Sequence, residues 1–444
     1  MSKNKIIHVS LDDVDTPNYG CTTYALSLII KELKAARTKF LDYPHLVRLN
    51  PNIPWKTRGN GAVSIILEHE DPEHIFKVAK RIAYINYVKA GKKSTPAIVL
   101  FNGNSFNNEL LEFSKEALYR VLSVKRAKQL LDKYNFIYST YGGEIGLVGA
   151  LAGLCNPLVE HTYELICYRK GKNFDKPRKV YKKSVIKMSA KTYPFTYNNY
   201  DPITDRVIIT PHGHDPILFG IRGLTPEKLL TAFKMLEIDE EASHYVIFKT
   251  NQGTNSHFVN FFKIKDIKPY YSVKVQGKVK TVPKTEIGGH VFFLLEDDTS
   301  SVKCAAYEPT KIFRFSVLKL RPGDEVEIGG GVRAPNKKDS MALNIEYLKI
   351  LNLSDDFVYE NPLCPICSRH MKSLGKSQGF ECDKCKVKLV KASKVKKIIS
   401  RDIKLGLYIP PPSAHRHLTK PLQYYSTDLT INAPFNNMFL KIFS

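Results

Sequence analysis

The chain opens on an apolar run, Ile6 to Leu11, that stops at three carboxylates, Asp12, Asp13 and Asp15. Residues 22–35 then carry Leu26, Ile29, Ile30 and Leu33 at helical spacing. This pattern predicts a strand, an acidic loop and a helix N-terminus. An apolar stretch at 63–67 predicts a buried strand. Residues 72–90 predict a helix, 95–101 a strand, and 106–131 one or two helices. Strands alternating with helices predict an α/β unit over residues 1–130. The glycine-rich stretch 141–154 turns helix-like, and its small residues suit close packing or close approach to a ligand. Two strands within 206–223 flank a polar turn, Pro211-His212-Gly213-His214-Asp215-Pro216. Residues 225–236 predict a helix with Thr225 at the N-cap and Pro226 next. A further strand follows, and the mixed order fits a ferredoxin-like α+β unit over 131–260.

After residue 265 the period changes. Five short alternating strands run to 353, with a helix-like segment between the third and fourth. That is the order of an OB-fold β-barrel, although an SH3-like or other small barrel shares part of it. Residues 364–385 then spell C-x2-C-x14-C-x2-C. Cys364, Cys367, Cys382 and Cys385 have the spacing of a structural four-thiolate Zn²⁺ site, expected within a zinc ribbon at 360–392. Residues 393–444 read as a basic C-terminal extension, with His415-Arg416-His417 in loop. The expected class is multidomain α+β.

Charge narrows the partner. The 444 residues carry a formal net charge of +24, which implies a polyanion such as nucleic acid. Ten Lys/Arg between Arg169 and Lys191, interleaved with aromatics, resemble a phosphate-tracking edge. A lysine-rich hairpin that blunts a sheet edge would look the same. No apolar run approaches the length of a membrane span, so no membrane partner is expected. The N-terminus turns acidic too soon for a signal peptide. The expected compartment is the cytoplasm, with the remaining cysteines reduced and buried.

The acidic corner carries the candidate chemistry. Carboxylates at a strand end supply the hard oxygens that Mg²⁺ takes when it bridges to substrate phosphates. The adjoining helix N-terminus offers free N–H groups to the same phosphates, and Thr22 and Thr23 add hydroxyls there. The aspartates also suit turn formation, and a threonine an N-cap. Lys56, Arg58, Gly59, Asn60 and Gly61 form a turn whose backbone is permissive and whose cations suit phosphate; an ordinary strand-entry turn reads the same way. The sequence holds neither a P-loop nor a dinucleotide fingerprint.

Several separated segments resemble one family in the same order: DDVDTPNYGCTTY, RLNPNIPWKTRGNGAV, GLVGALAG, PHGHDPILFGIRG, the barrel and the four-cysteine ribbon. The chain resembles the archaeal agmatidine synthases. The resemblance implies a kinase-like N-terminal domain and an ATP-dependent ligase that joins agmatine to C2 of the wobble cytidine in the CAU anticodon of isoleucine tRNA, so that AUA is read as isoleucine. It implies that ATP phosphorylates the C2 oxygen and that AMP is a product. Carried over by motif, Asp12, Asp13 and Asp15 hold Mg²⁺ and phosphates. Thr22 matches a threonine that the family autophosphorylates. Thr23, Lys56, Arg58, Gly59, Asn60 and Gly61 hold ATP phosphates. Agmatine is dicationic, which makes the carboxylates Glu144 and Asp215 candidates to bind it, and His212 joins them from the same PHGHDP segment, which the resemblance puts at the agmatine site. No obligate protein partner is implied. A second class stays open on the residues alone: a non-catalytic single-stranded nucleic-acid-binding protein built on OB-fold and ribbon.

Overall fold

A single sheet joins the first two units of the computed structural model, which describes residues 5–16, 19–57, 59–174, 176–211, 213, 215–337 and 339–443. Arg58 and His212, both singled out above, lie outside the described residues. The first unit runs β1 (Lys5–Asp12), α1 (Thr22–Ala35), β2 (Lys39–Phe40), β3 (His45–Arg48), β4 (Gly61–His69), α2 (Pro72–Lys89), β5 (Ala97–Asn102), α3 (Asn108–Glu116), α4 (Val124–Lys133), β6 (Ile137–Thr140) and α5 (Gly146–Leu154). Its strands order β6-β5-β1-β4-β3, each antiparallel to its neighbour.

Alternation along the strands builds three layers. Ile7, Val9, Leu11, Ile65 and Leu67 face a core shared with α1 and α2. Val47, Ala62, Ala97 and Val99 face the opposite core, shared with α3, α4 and α5. The β6 and α5 segments therefore pack with the first unit, so the boundary expected at 130 falls inside this layer. Small residues let α5 come close. A Cβ on Gly153 would lie 2.5 Å from that of Ala62, and one on Gly146 would lie 2.6 Å from the Thr95 carbonyl oxygen.

The second unit runs β7 (Thr162–Arg169), α6 (Lys182–Thr192), β8 (Thr196–Tyr197), β9 (Ile217–Gly223), α7 (Pro226–Lys234) and β10 (Ala242–Thr250). This is a βαββαβ order with strands arranged β10-β7-β9-β8, the ferredoxin-like plan. Thr225 caps α7 through Lys228 N–H at 3.4 Å. A parallel pairing, Lys249 to His45 and Thr250 to Leu46, fuses the two sheets. Arg169 is an exception within the basic stretch. It is 1% exposed, bonded to Glu240 at 2.5 and 2.9 Å and to the Lys176 carbonyl at 2.8 Å, so it pins a loop inside the fold.

The barrel is β11 (Ser272–Val279), β12 (Val291–Glu296), β13 (Ser301–Ala306), α8 (Ile312–Leu318), β14 (Glu325–Arg333) and β15 (Ala342–Asn352). Pairings β11–β14, β14–β15, β15–β13, β13–β12 and β12–β11 close it, and α8 lies between the third and fourth strands. After the ribbon the chain returns to the body. Residues 406–408 pair with β15, and 440–442 pair with β10. The basic extension is therefore a strap that crosses from the barrel to the second unit.

Candidate active site

Asp12 ends β1 with its carboxylate against α5. A Cβ on Gly149 would fall 1.7 Å from Asp12 Oδ2, so only glycine leaves room for that carboxylate. Asp13 follows in the left-handed region, at φ 57°, and its backbone N–H bonds Asp12 Oδ1 at 2.7 Å. The Thr95 hydroxyl donates to Asp13 Oδ2. Burial, then the neighbouring Asp13 charge, pushes the Asp12 carboxyl well above the usual range. Burial, then Thr95 and Asp15 acting in opposite senses, leaves Asp13 raised as well. Asp15 accepts from Thr22 Oγ1 at 3.3 Å and from Thr57 Oγ1 at 3.0 Å. Helix α1 opens at Thr22 with Cys21 as N-cap; Cys21 makes no side-chain capping bond. The threonine is thus tied to the aspartate and is not the cap.

Two cavities meet at Asp15. The first, about 450 Å³, is lined by Asp12, Asp13 and Asp15 together with Thr95 and Gly149. Its lining also includes the apolar Ile53, Trp55, Val121 and Leu122 and the cations of Lys93 and Arg120. The second, about 710 Å³, lies between the two sheet units and holds Cys21, Thr22 and Thr23. Asp15, Lys56, Gly59, Asn60 and Gly61 line both. The turn expected to handle phosphates therefore forms the partition.

The second cavity is bipolar. Asp215 sits 5% exposed, with Arg178 Nη2 on Oδ1 at 2.9 Å. Glu164 accepts from Arg222 at 3.1 Å and from Gln252 at 2.5 Å. Arg48, Arg222 and Arg416 bring guanidinium groups to the same space. His417 completes the wall from the strap, bonded through Nδ1 to Gln252 Oε1 at 2.9 Å. Burial, with Arg48 and Arg222 beside it, holds His417 neutral by pushing its pKa well below the usual value. Glu144 is placed elsewhere: it pairs with Lys128 at 2.7 Å and lines neither cavity.

Reading the sequence missed Thr57, Thr95, Glu164, Arg222 and the strap. Glu164 left one local signal, a lone carboxylate inside the apolar strand TYELICYR. The others left none, because each reaches the site from a distant segment.

The four cysteines come together as their spacing requires. Their sulfurs all lie within 4.8 Å of one another, and Cys367 and Cys382 are 3.5 Å apart. Cys382 Sγ also accepts from the backbone N–H of Cys385 at 3.4 Å, which favours a thiolate. Four sulfurs at that separation fit a tetrahedral Zn²⁺ with no ligand position left for water.

Four family models match the chain in order, the second of them taking in α5. The TiaS TCKD domain matches residues 8–81 and the TiaS FLD domain 144–257. The OB-fold nucleic acid binding domain matches 273–351, and the TiaS C-terminal zinc ribbon domain 361–403. The isoleucine-tRNA 2-agmatinylcytidine synthetase TiaS of Pyrococcus horikoshii is 40% identical over 430 residues, covering 94% of this chain and 97% of that one. The chain belongs to the TiaS family of tRNA 2-agmatinylcytidine synthetases. The family member of Methanocaldococcus jannaschii is 38% identical over 426 residues, covering 94% of this chain and 98% of its own. Crystal structures of the family superpose along nearly the whole chain. TiaS in complex with its isoleucine tRNA and ATP gives a TM-score of 0.85 at 34% identity. TiaS in complex with the same tRNA, AMPCPP and agmatine gives 0.83 at 32%. Each covers 96% of this chain and 98% of the other. No described helix is long and apolar enough to cross a membrane.

Proposed function

We propose that this protein is an ATP-dependent ligase that joins agmatine to C2 of the wobble cytidine in the CAU anticodon of isoleucine tRNA, and that it works in the cytoplasm. The observation that carries the reading is Asp15, held between the hydroxyls of Thr22 and Thr57 where an acid-lined cavity meets a bipolar one. The carboxylate cavity takes ATP, with adenine against Ile53, Trp55 and Leu122. The bipolar cavity takes agmatine and the target base.

The residues fit magnesium. Asp12 and Asp13 offer hard oxygens, and their raised proton affinity marks charges that burial leaves uncompensated. When bound, Mg²⁺ would neutralise those carboxylates and the charge developing on the phosphates. Everything else falls to the chain. Asp15 takes the proton of Thr22 as an O–P bond forms at that hydroxyl and the anhydride bond to the terminal phosphorus of ATP breaks, the nucleotide leaving with the bridging oxygen. The loop 56–61 and the first turn of α1 hold phosphates through N–H groups and Lys56.

Cytosine C2 is a poor electrophile with a poor leaving group, so its oxygen is phosphorylated first. An O–P bond forms at the C2 oxygen as the anhydride bond to that phosphorus breaks and the nucleotide leaves with the bridging oxygen; water opens the remaining anhydride, giving AMP and a second phosphate. The primary amine of agmatine then forms the C–N bond, the C–O bond breaks, and phosphate departs with the original oxygen. The amine's surplus proton is released. Asp215 and Glu164 face the cationic ends of agmatine, and Arg48 and Arg222 face the phosphate. The target base must leave its stack to arrive. Zn²⁺ on Cys364, Cys367, Cys382 and Cys385 keeps the ribbon folded, and ribbon and barrel grip the tRNA.

The test uses γ-labelled ATP. Label is expected on wild type and not on Thr22→Ala. Wild type is also expected to add the mass of agmatine, less water, to isoleucine tRNA with a CAU anticodon. Tight tRNA binding without ATP turnover would instead identify a binding protein.

A further inference from the structure

An amine that displaces an oxygen from a ring carbon must shed a proton, and the bipolar cavity offers few groups to receive it. Both oxygens of Glu164 are occupied, Oε1 by Arg222 at 3.1 Å and Oε2 by Gln252 at 2.5 Å. Asp215 Oδ1 accepts from Arg178 and from the Ile217 N–H, both at 2.9 Å. His415 has both ring nitrogens engaged, Nδ1 with Asn198 at 3.2 Å and Nε2 with the Pro410 carbonyl at 2.8 Å. His417, two residues further along the strap, differs.

A chain of hydrogen bonds fixes its tautomer. A carboxylate only accepts, so Gln252 turns its NH2 to Glu164 and its oxygen to His417. Nδ1 of His417 therefore carries the hydrogen that reaches Gln252 Oε1 at 2.9 Å. In a neutral ring this leaves a lone pair on Nε2. Burial beside Arg48 and Arg222 keeps the ring neutral. Among the described residues, the bond to Gln252 is the ring's one hydrogen bond.

The surroundings aim that lone pair. The strap backbone is fixed here, with Gly253 N–H on the His417 carbonyl at 3.0 Å and Asn255 N–H on the Leu418 carbonyl at 2.8 Å. A Cβ on Gly59 would lie 2.8 Å from His417 Nε2 and 3.0 Å from Arg48 Nη1. Gly59 lines both cavities. Its missing side chain leaves Nε2 and a guanidinium N–H uncovered, side by side, where the cavities meet. A basic nitrogen beside an anion binder suits a step in which an amine loses a proton as phosphate departs.

We propose that His417 Nε2 is the general base that takes the proton from the primary amine of agmatine as the C–N bond forms. The proposal rests on the ligase reading above. The ammonium of agmatine first gives one proton to water. The freed lone pair bonds C2, and the nitrogen becomes cationic. One N–H proton passes to Nε2 while its electron pair stays on nitrogen. The C–O bond breaks, and phosphate leaves with the original oxygen. The imidazolium, facing Arg48 and Arg222, then passes its proton to water. Those neighbours make His417 a weak base, and a weak base suffices, because a cationic nitrogen bonded to an electron-poor carbon is far more acidic than free ammonium.

Single-turnover joining of agmatine to isoleucine tRNA with a CAU anticodon tests it, read by mass beside γ-label on Thr22. His417→Ala is expected to slow joining about a hundredfold, the low end for a lost general base, while label on Thr22 persists. His417→Asn keeps a donor for Gln252 and carries no base, and it is expected to lose as much. Free imidazole is expected to speed joining by His417→Ala about tenfold, in proportion to its unprotonated fraction. A merely structural histidine would give no such rescue. Joining near the wild-type rate in either variant, no response to imidazole, or equal loss of label on Thr22 overturns the proposal. If wild type itself neither labels nor joins, the ligase reading falls first.

Discussion

The four-cysteine ribbon and the three-aspartate corner both gather like-charged ligands, and they do so by opposite means. In the ribbon all four ligands lie within 22 residues, and the surrounding core is small: Met371 and Phe380, with two of the cysteines themselves. So little apolar area cannot hold a fold, and the metal must organise the chain. At the corner the carboxylates hang on the end of a central strand, packed on both faces by helices. There the fold organises the charges, against the preference of Asp12 and Asp13 to be protonated. One site uses a metal to make structure. The other uses structure to hold three carboxylates together, the place where the proposed function puts magnesium.

Removing zinc tests the first half most severely. Structural zinc contributes about 10–16 kcal/mol to small domains of this kind. A strong chelator, or Cys367→Ser, is expected to unfold residues 361–403 and leave the barrel and sheets intact. Hydrogen exchange should show protection lost in the ribbon alone. Affinity for tRNA should fall in a salt-dependent way, while ATP binding persists. Loss of protection in β1 or α5 would mean that the two sites are not independent.

Asp12→Asn tests the second half. Turnover is expected to fall about a thousandfold, or about 4 kcal/mol of transition-state stabilisation. Retention of tRNA is expected to be nearly unchanged. Without magnesium the variant is expected to melt above wild type, because a buried like charge has gone. The pH dependence carries a definite sign. A carboxyl raised in the folded state binds its proton more tightly there than when unfolded. Wild-type stability without metal therefore declines as pH climbs from the usual carboxylate range through the raised pKa, and Asp12→Asn flattens that decline. A variant that melts lower than wild type at neutral pH would contradict the stored-charge account.

The contrast also explains what the sequence made legible. Cysteine spacing is local, so the ribbon could be read from 22 letters. The limits of α1 agreed with periodicity, because Leu26, Ile29, Ile30 and Leu33 all face one core. The strand, loop and helix order at the acidic corner was equally readable. What surrounds that corner was not. Thr57 reaches Asp15 across 42 residues and Thr95 reaches Asp13 across 82, contacts that no local pattern encodes. The strap was harder still. Its Pro-rich sequence reads as loop, and the strap is irregular apart from short strands and single 3-10 turns, but Arg416 bonds Asn52 Oδ1 at 2.6 Å and stands 3.4 Å from Glu346, drawing three modules together. Glu144 misled in the opposite sense. Its place beside GLVGALAG suggested the site, yet its side chain turns outward to Lys128.

Gly149 offers the finest cut between fold and charge. Replacing a mid-helix glycine with alanine ordinarily stabilises by about 1 kcal/mol. Here the new methyl would lie 1.7 Å from Asp12 Oδ2 and 3.3 Å from a Leu49 methyl, so Asp12 must move. Overpacking of that kind costs about 1–3 kcal/mol, which cancels the helix gain or exceeds it by a small margin. Stability is therefore a poor readout, and position is a good one. A carboxylate displaced by about 1 Å is expected to cost about a hundredfold in kcat. The KM for agmatine should hold, since that cavity lies beyond Asp15. Gly153→Ala supplies the control. Its methyl would also crowd α5 against the sheet, 2.5 Å from Ala62 Cβ, but it touches no aspartate. Gly149→Ala is expected to lose turnover and keep most of its stability, and Gly153→Ala to do the reverse. Equal losses of turnover would show that α5 acts on the corner only as packing, and that the close approach to Asp12 has no catalytic consequence.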